Sequence, residues 1–111
     1  MPSMSARPKP ATRTASLAAP ETDWKRVAAL VLTSRAMDAI EEETLVPAKK
    51  IFYQFSARGH DMAQTLLGLQ LTHPKDAVCG YYRSRPILLA LGVGLEDALG
   101  SAMGRAGGYS D

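Results

Sequence analysis

The densest set of chemically capable side chains in this chain is Gly80-Tyr81-Tyr82-Arg83-Ser84-Arg85, with Pro86 directly after it. An apolar stretch ends at Gly80, two aromatics follow, and two arginines precede the start of a helix. Free backbone N–H groups and the helix dipole at such a start favour an anion. A guanidinium adds a planar, two-pronged donor for a phosphate. A tyrosine hydroxyl can donate to a phosphate or to a ring nitrogen while its ring lies against a cofactor. On residue types alone, the commoner outcome for this pattern is a surface arginine pair beside a core tyrosine.

Other reactive groups carry less. Cys79 is the sole cysteine, so it forms no internal disulfide, and a metal site needs several more ligands. Its apolar setting, Ala77-Val78-Cys79-Gly80, predicts a small buried thiol. His60, after Gly59, reads as a structural helix-start residue and not as a base, because no partner fixes its tautomer. His73, before Pro74, reads as an exposed turn residue. No residue is assigned a catalytic or metal-ligating role.

The elements that must position these groups are mostly helical. Thr22 is a cap candidate, with acidic residues around it where the dipole favours them. Apolar positions then run Trp24, Val27, Ala28, Leu30, Val31, Met37, Ile40 and Leu45. This spacing predicts a helix of roughly 22 residues, stopped by Pro47. Arg35, Asp38, Glu41, Glu42 and Glu43 are expected to form its solvated face, with local ion pairs. The aromatic run Lys49–Phe55 is β-prone and predicts a short strand, as does Ala77–Gly80. A second helix is expected from His60 or Asp61 to Leu71, in which Gly68 implies close approach to another backbone. Pro86 suits the first turn of a third helix over Ile87–Leu91, ended by Gly92 and Gly94. A short fourth helix opens at Leu95 and ends near Gly104. Arg105–Asp111 is loop-like.

Composition bounds the rest. The chain has 111 residues and a formal net charge of +2, room for one small domain. Residues 1–20 lack Asp, Glu and aromatics and hold four prolines, which predicts a disordered tail. Arg7, Lys9 and Arg13 lie in that tail, and the near-balanced remainder gives no case for a nucleic-acid groove. No apolar run reaches the ~18 residues of a membrane span, and a cytoplasmic location is expected. The helices' rich apolar faces call for a partner surface.

The order of several motifs resembles the alpha-type subunit of thiamine diphosphate-dependent 2-oxo acid dehydrogenases, the decarboxylating first component of those complexes. Asp76-Ala77-Val78-Cys79-Gly80-Tyr81-Tyr82-Arg83 is similar to the family's D-x-V-x-x-Y-Y-R stretch. Leu89-Ala90-Leu91-Gly92 is similar to its L-A-L-G helix. Gly59-His60-Asp61-Met62 stands where the family has Gly, His or Gln, Glu and Ala. Arg35-Ala36-Met37-Asp38 resembles its R-x-x-D pattern. The resemblance covers about residues 22–111, and the family's Gly-Asp-Gly…Asn metal-diphosphate motif is absent from this sequence.

What the resemblance implies is specific. The fold is expected to be mainly α with short β segments, the N-terminal portion of an α/β thiamine diphosphate-binding fold, incomplete in this chain. The cofactor is thiamine diphosphate, with Mg2+ held by residues outside the chain. Arg83 is expected to bind the diphosphate and Tyr82 to hydrogen-bond or lie beside it. Tyr53 or Phe55 resembles the aromatic that lines the cofactor and substrate pocket. The implied activity is oxidative decarboxylation of a 2-oxo acid with acyl transfer to a lipoyl arm. The wording Tyr-Tyr-Arg-Ser-Arg-Pro leans toward branched-chain substrates. The implied partners are the remainder of the alpha-type subunit, a beta-type subunit or domain, and the lipoyl-bearing second component, with no nucleic acid and no membrane. The chain alone is expected to be inactive. The alternative is a small helical interaction module without catalysis.

Overall fold

The computed structural model describes residues 21–105; the expected N-terminal tail and the last six residues lie outside the described residues. Among the described residues four α-helices carry the fold: α1 Trp24–Ile40, α2 Asp61–Gln70, α3 Arg85–Ala90 and α4 Leu95–Ala102. Helix α1 is capped by Asp23 and not by Thr22: the Arg26 N–H donates to Asp23 Oδ1 at 3.1 Å. Beyond Ile40 the helix widens into a π-helical turn, Glu41–Leu45. Its signature is the Val46 N–H donating to the Glu41 carbonyl, five residues back, at 2.9 Å. The helical path thus reaches Leu45 as the sequence predicts, but its final turn is not α. Pro47 follows, and Lys49 adopts a left-handed conformation at φ 57° that turns the chain away.

Asp61 opens α2, and Glu96 and Asp97 open α4, each placing negative charge at the positive end of the dipole. Pro86 sits in the first turn of α3, where its missing N–H costs no helix bond. Helices α2 and α3 form the principal packing pair, and α1 packs against both. Gly68 sets their separation. A Cβ there would lie 2.7 Å from the Ala90 Cβ and 3.2 Å from the Ile87 carbonyl oxygen. The predicted close approach is therefore present.

Met37, Leu89 and Ala98 make a buried cluster that joins α1, α3 and α4, flanked by Leu30, Val93 and Leu99. Val27, Val31, Ile51, Ala57 and Ile87 are also buried.

Three further expectations are overturned. The segments Lys49–Phe55 and Ala77–Gly80 are irregular, and no strand occurs among the described residues. A strand needs a neighbour to complete its ladder, and these two segments do not pair. The start of the first segment is held instead by turn bonds, the Lys49 N–H donating to the Val46 carbonyl and the Lys50 and Ile51 N–H groups to that of Leu45. Second, the charged side of α1 is not wholly solvated. Asp38 and Glu41 are buried at 1% and 3% exposure, and their ion pairs reach across the fold. Third, Cys79 is exposed, because Ala77–Gly80 lies at the surface rather than within a sheet.

Candidate functional site

Two irregular segments meet beside α3 and carry every residue singled out for cofactor contact. The first, residues 51–57, is anchored at its ends by buried Ile51 and Ala57 and displays Phe52, Tyr53 and Phe55 at the surface. The second, residues 80–84, is a tight turn. The Tyr81 N–H donates to Ser84 Oγ at 2.9 Å, and the Ser84 N–H returns to the Tyr81 carbonyl at 3.0 Å. Gly80 is required there, since a Cβ would sit 2.8 Å from the Ser84 Cβ. From α2, Gln64 Nε2 donates to the Arg83 carbonyl at 2.9 Å.

The rings of the two segments touch. Phe55 and Tyr82 have centroids 4.4 Å apart, Tyr53 meets Phe55 edge-on at 5.3 Å, and Tyr81 meets Tyr82 edge-on at 4.5 Å. Such offset and edge contacts are the favoured aromatic geometries. The Arg83 guanidinium carbon lies 5.5 Å from the Tyr82 ring centroid and 5.6 Å from that of Phe55, within cation–π range of both. Its Nη1 donates to the Ser56 carbonyl at 2.5 Å. Tyr82, Arg83, Tyr53 and Phe55 are thus one contiguous group of touching side chains.

This wall borders a cavity of about 470 Å3, within the ~300–1,000 Å3 of small-ligand sites. Tyr53, Phe55, Tyr81 and Tyr82 line one side, Leu88, Leu89, Val93 and Ala98 another, and Glu41 and Arg85 supply the charged edge. Arg83 is not among the lining residues. It flanks the aromatic wall, half-exposed and without a carboxylate partner among the described residues.

Beneath the wall lies an ion cluster that sequence reasoning misplaced. Asp38 accepts four hydrogen bonds: from Gln54 Nε2 at 3.1 Å, Ser56 Oγ at 2.8 Å, the Ala57 N–H at 3.2 Å and Arg85 Nη1 at 2.9 Å. The other Arg85 prong, Nη2, pairs with Glu41 Oε1. Arg85 is therefore neutralised by two carboxylates and is no phosphate fork. Burial pushes the Glu41 carboxyl above its ordinary range. Arg85 opposes that shift, and Asp38 and Glu42 add to it. The signal was present in the spacing: Val27, Val31, Ser34, Asp38 and Glu41 recur at alternating intervals of four and three, the period of a single buried helix stripe.

A second long-range pair joins α1 to the start of α2. Arg35 Nε donates to Asp61 Oδ2 at 2.7 Å. That bond holds the Asp61 carboxyl below its usual range, against the effect of burial. His60 precedes α2 as its cap residue without a side-chain cap bond. His73 is exposed in a turn, its Nδ1 accepting from the Lys75 N–H at 3.1 Å. His60 thus stands at a helix start and His73 in an exposed turn, the places expected of them. Among the described residues no group of His, Cys, Asp and Glu is placed to hold a metal, and no helix is long and apolar enough to cross a membrane.

The residues present suit contact with an aromatic, anionic ligand: edge-on and tilted rings beside a guanidinium that has no carboxylate partner among the described residues. Compared with protein-family models, with curated proteins and with solved structures, the chain shows no match.

Proposed function

We propose that the chain forms part of the alpha-type subunit of a thiamine diphosphate-dependent 2-oxo acid dehydrogenase, and that Tyr53, Phe55, Tyr82 and Arg83 provide one wall of its cofactor site. The observation that carries this reading is the meeting of those four residues, from segments about 27 positions apart, beside a ligand-sized cavity. The motif resemblance supplies the identity of the ligand. In this reading the helices are the N-terminal part of a larger α/β fold, and metal-holding residues and a beta-type partner complete the site. The lipoyl-bearing second component receives the acyl group.

Bound thiamine diphosphate supplies a ring that takes up the electrons left when carbon dioxide departs from the 2-oxo acid. This chain's residues bind and orient. The Arg83 charge, free of a carboxylate, is available to a diphosphate oxygen. The rings of Tyr82, Phe55 and Tyr53, set edge-on and tilted to one another, exclude water and offer apolar contact along the wall. None of the four is given a proton to move. A branched-chain 2-oxo acid is the substrate class favoured by the Tyr81–Pro86 wording.

The test is a titration of the chain with thiamine diphosphate and, separately, with thiamine, followed by the NMR shifts of residues 53, 55, 82 and 83. Both should move the ring signals, and the diphosphate should bind more tightly. Arg83→Ala should reduce that advantage by about tenfold, the ~1.4 kcal/mol of one charge-assisted bond. Absence of ring shifts with either compound would refute the reading. A second reading, a helical docking module, is favoured by the exposure of Trp24, Leu32, Phe52, Leu67 and Leu95. It predicts no response to either compound.

A further inference from the structure

We infer that Asp38 is the positioning residue of the aromatic–arginine wall, an inference that rests on reading the wall as a cofactor-binding surface. Its carboxylate ties together the two segments whose rings must meet. Gln54, Ser56 and Ala57, which interleave with and follow Tyr53 and Phe55, all donate to it, and Arg85, two residues after Arg83, donates from the other side.

The chemistry of the side chain is specific. An ionised carboxylate offers about four acceptor sites and no donor, and here four donors converge on it. An asparagine amide offers one acceptor oxygen, and whichever way it is turned its N–H2 faces one group that can only donate, the Ala57 N–H or the Arg85 guanidinium. The size is nearly unchanged while at least one donor set loses its acceptor. Packing alone does not call for aspartate. Met37, Leu89 and Ala98 join the same helices without it, and a buried ion pair seldom holds a fold together better than apolar residues of similar volume. What the charge adds is register. It fixes the 51–57 segment against the 80–85 segment, so that Phe55 meets Tyr82 and Arg83 reaches Ser56.

The experiment uses the full 111-residue chain and NMR cross-peaks between the Phe55 and Tyr82 rings, with thiamine diphosphate as the titrated probe. Asp38→Asn should abolish those cross-peaks while keeping the packing of α2 on α3. It should weaken thiamine diphosphate about ten- to hundredfold, as when the support beneath a ligand-binding group is removed. Gly68→Ala disturbs the α2–α3 crossing away from the wall. Measured equally far below its own Tm, it should retain the ring cross-peaks. If Gly68→Ala abolishes them as fully as Asp38→Asn does, general destabilisation explains the effect and the inference is overturned. Should Asp38→Asn not fold, the double variant Gln54→Ala/Ser56→Ala keeps the Asp38–Arg85 pair and cuts two loop ties. Intact ring cross-peaks in that variant overturn the inference, and their disappearance supports it. If Asp38→Asn abolishes the ring cross-peaks and the unaltered chain binds no thiamine diphosphate, the cofactor reading fails and the positioning role stands.

Discussion

Removing the Arg85 guanidinium should be the most damaging single change to this fold. Arg85→Met keeps much of the aliphatic stem and deletes the charge that Asp38 and Glu41 share. Both carboxylates stay buried, at 1% and 3% exposure, and they face each other's charge without an offset. Breaking a buried pair from one side costs about 3–5 kcal/mol. The Arg85 side chain is 17% exposed, so the low end, about 3 kcal/mol, applies. A domain of this size has about 4–13 kcal/mol in total, so between about a quarter and three quarters of the margin is at stake. At about 4–8 °C per kcal/mol for a small domain, the expected drop in Tm is about 12–24 °C. The loss should also depend on pH. Burial already raises Glu41, and Arg85 is the group that pulls it back down. Without Arg85 the carboxyl rises further, so the folded state holds a proton that the unfolded state has released. Stability then falls as pH rises from the ordinary glutamate value through the raised one. The deficit of Arg85→Met relative to the unaltered chain should thus be larger at about pH 7 than at about pH 5. Urea denaturation at both pH values measures it. A deficit under about 1 kcal/mol at neutral pH, or one equal at both pH values, would refute the assignment of Arg85 to a buried cluster.

Gly68→Ala should destabilise by about 1–2 kcal/mol, because overpacking at the Ala90 Cβ outweighs the gain of about 1 kcal/mol in helix propensity; thermal denaturation reports it. The Cys79 thiol is exposed and should react with a thiol reagent in the native chain about as fast as in urea. Strong native-state protection would contradict that placement. Asp61 is held below its ordinary range by Arg35, so its contribution is present above the ordinary aspartate value and fades as pH falls through the lowered one. Asp61→Asn should therefore lower Tm at neutral pH and converge with the unaltered chain in acid.

Much of the helical plan was legible because its punctuation is local. Pro47, Pro86, Gly92 and Gly104 bound helices through backbone constraints that act within a turn. Gly68 announced a close crossing because glycine inside a helix otherwise has only a cost. What was hidden depended on partners distant in sequence. Trp24 and Ile40 count as apolar positions in the periodicity of α1, yet they are 62% and 45% exposed. The stripe that is buried continues through Ser34, Asp38 and Glu41, and the charge of the two carboxylates is tolerable there only because Arg85, Gln54 and Ser56 arrive from elsewhere. The β-prone composition of Lys49–Phe55 predicted a ladder, but its aromatics serve as surface rings and its backbone never meets another extended segment. For the site, the residue types at 53, 55, 82 and 83 were readable, as was their grouping by resemblance. The neutralisation of Arg85 was not, since adjacency to Arg83 gives no hint of which guanidinium the fold turns inward.

The segment between Ile51 and Ala57 divides its labour by position. Its buried ends and its bonds to Asp38 fasten it, while Phe52, Tyr53 and Phe55 project outward, with Phe52 91% exposed. Replacing Phe52 forfeits little interior packing, so the thermodynamic penalty on such a change is slight. Selection can accordingly revise the shape and polarity of the cavity rim one residue at a time, while the anchor beneath stays constant. Under the proposed cofactor reading, a lineage built on this arrangement is equipped to change its ligand preference without first acquiring a reserve of stability.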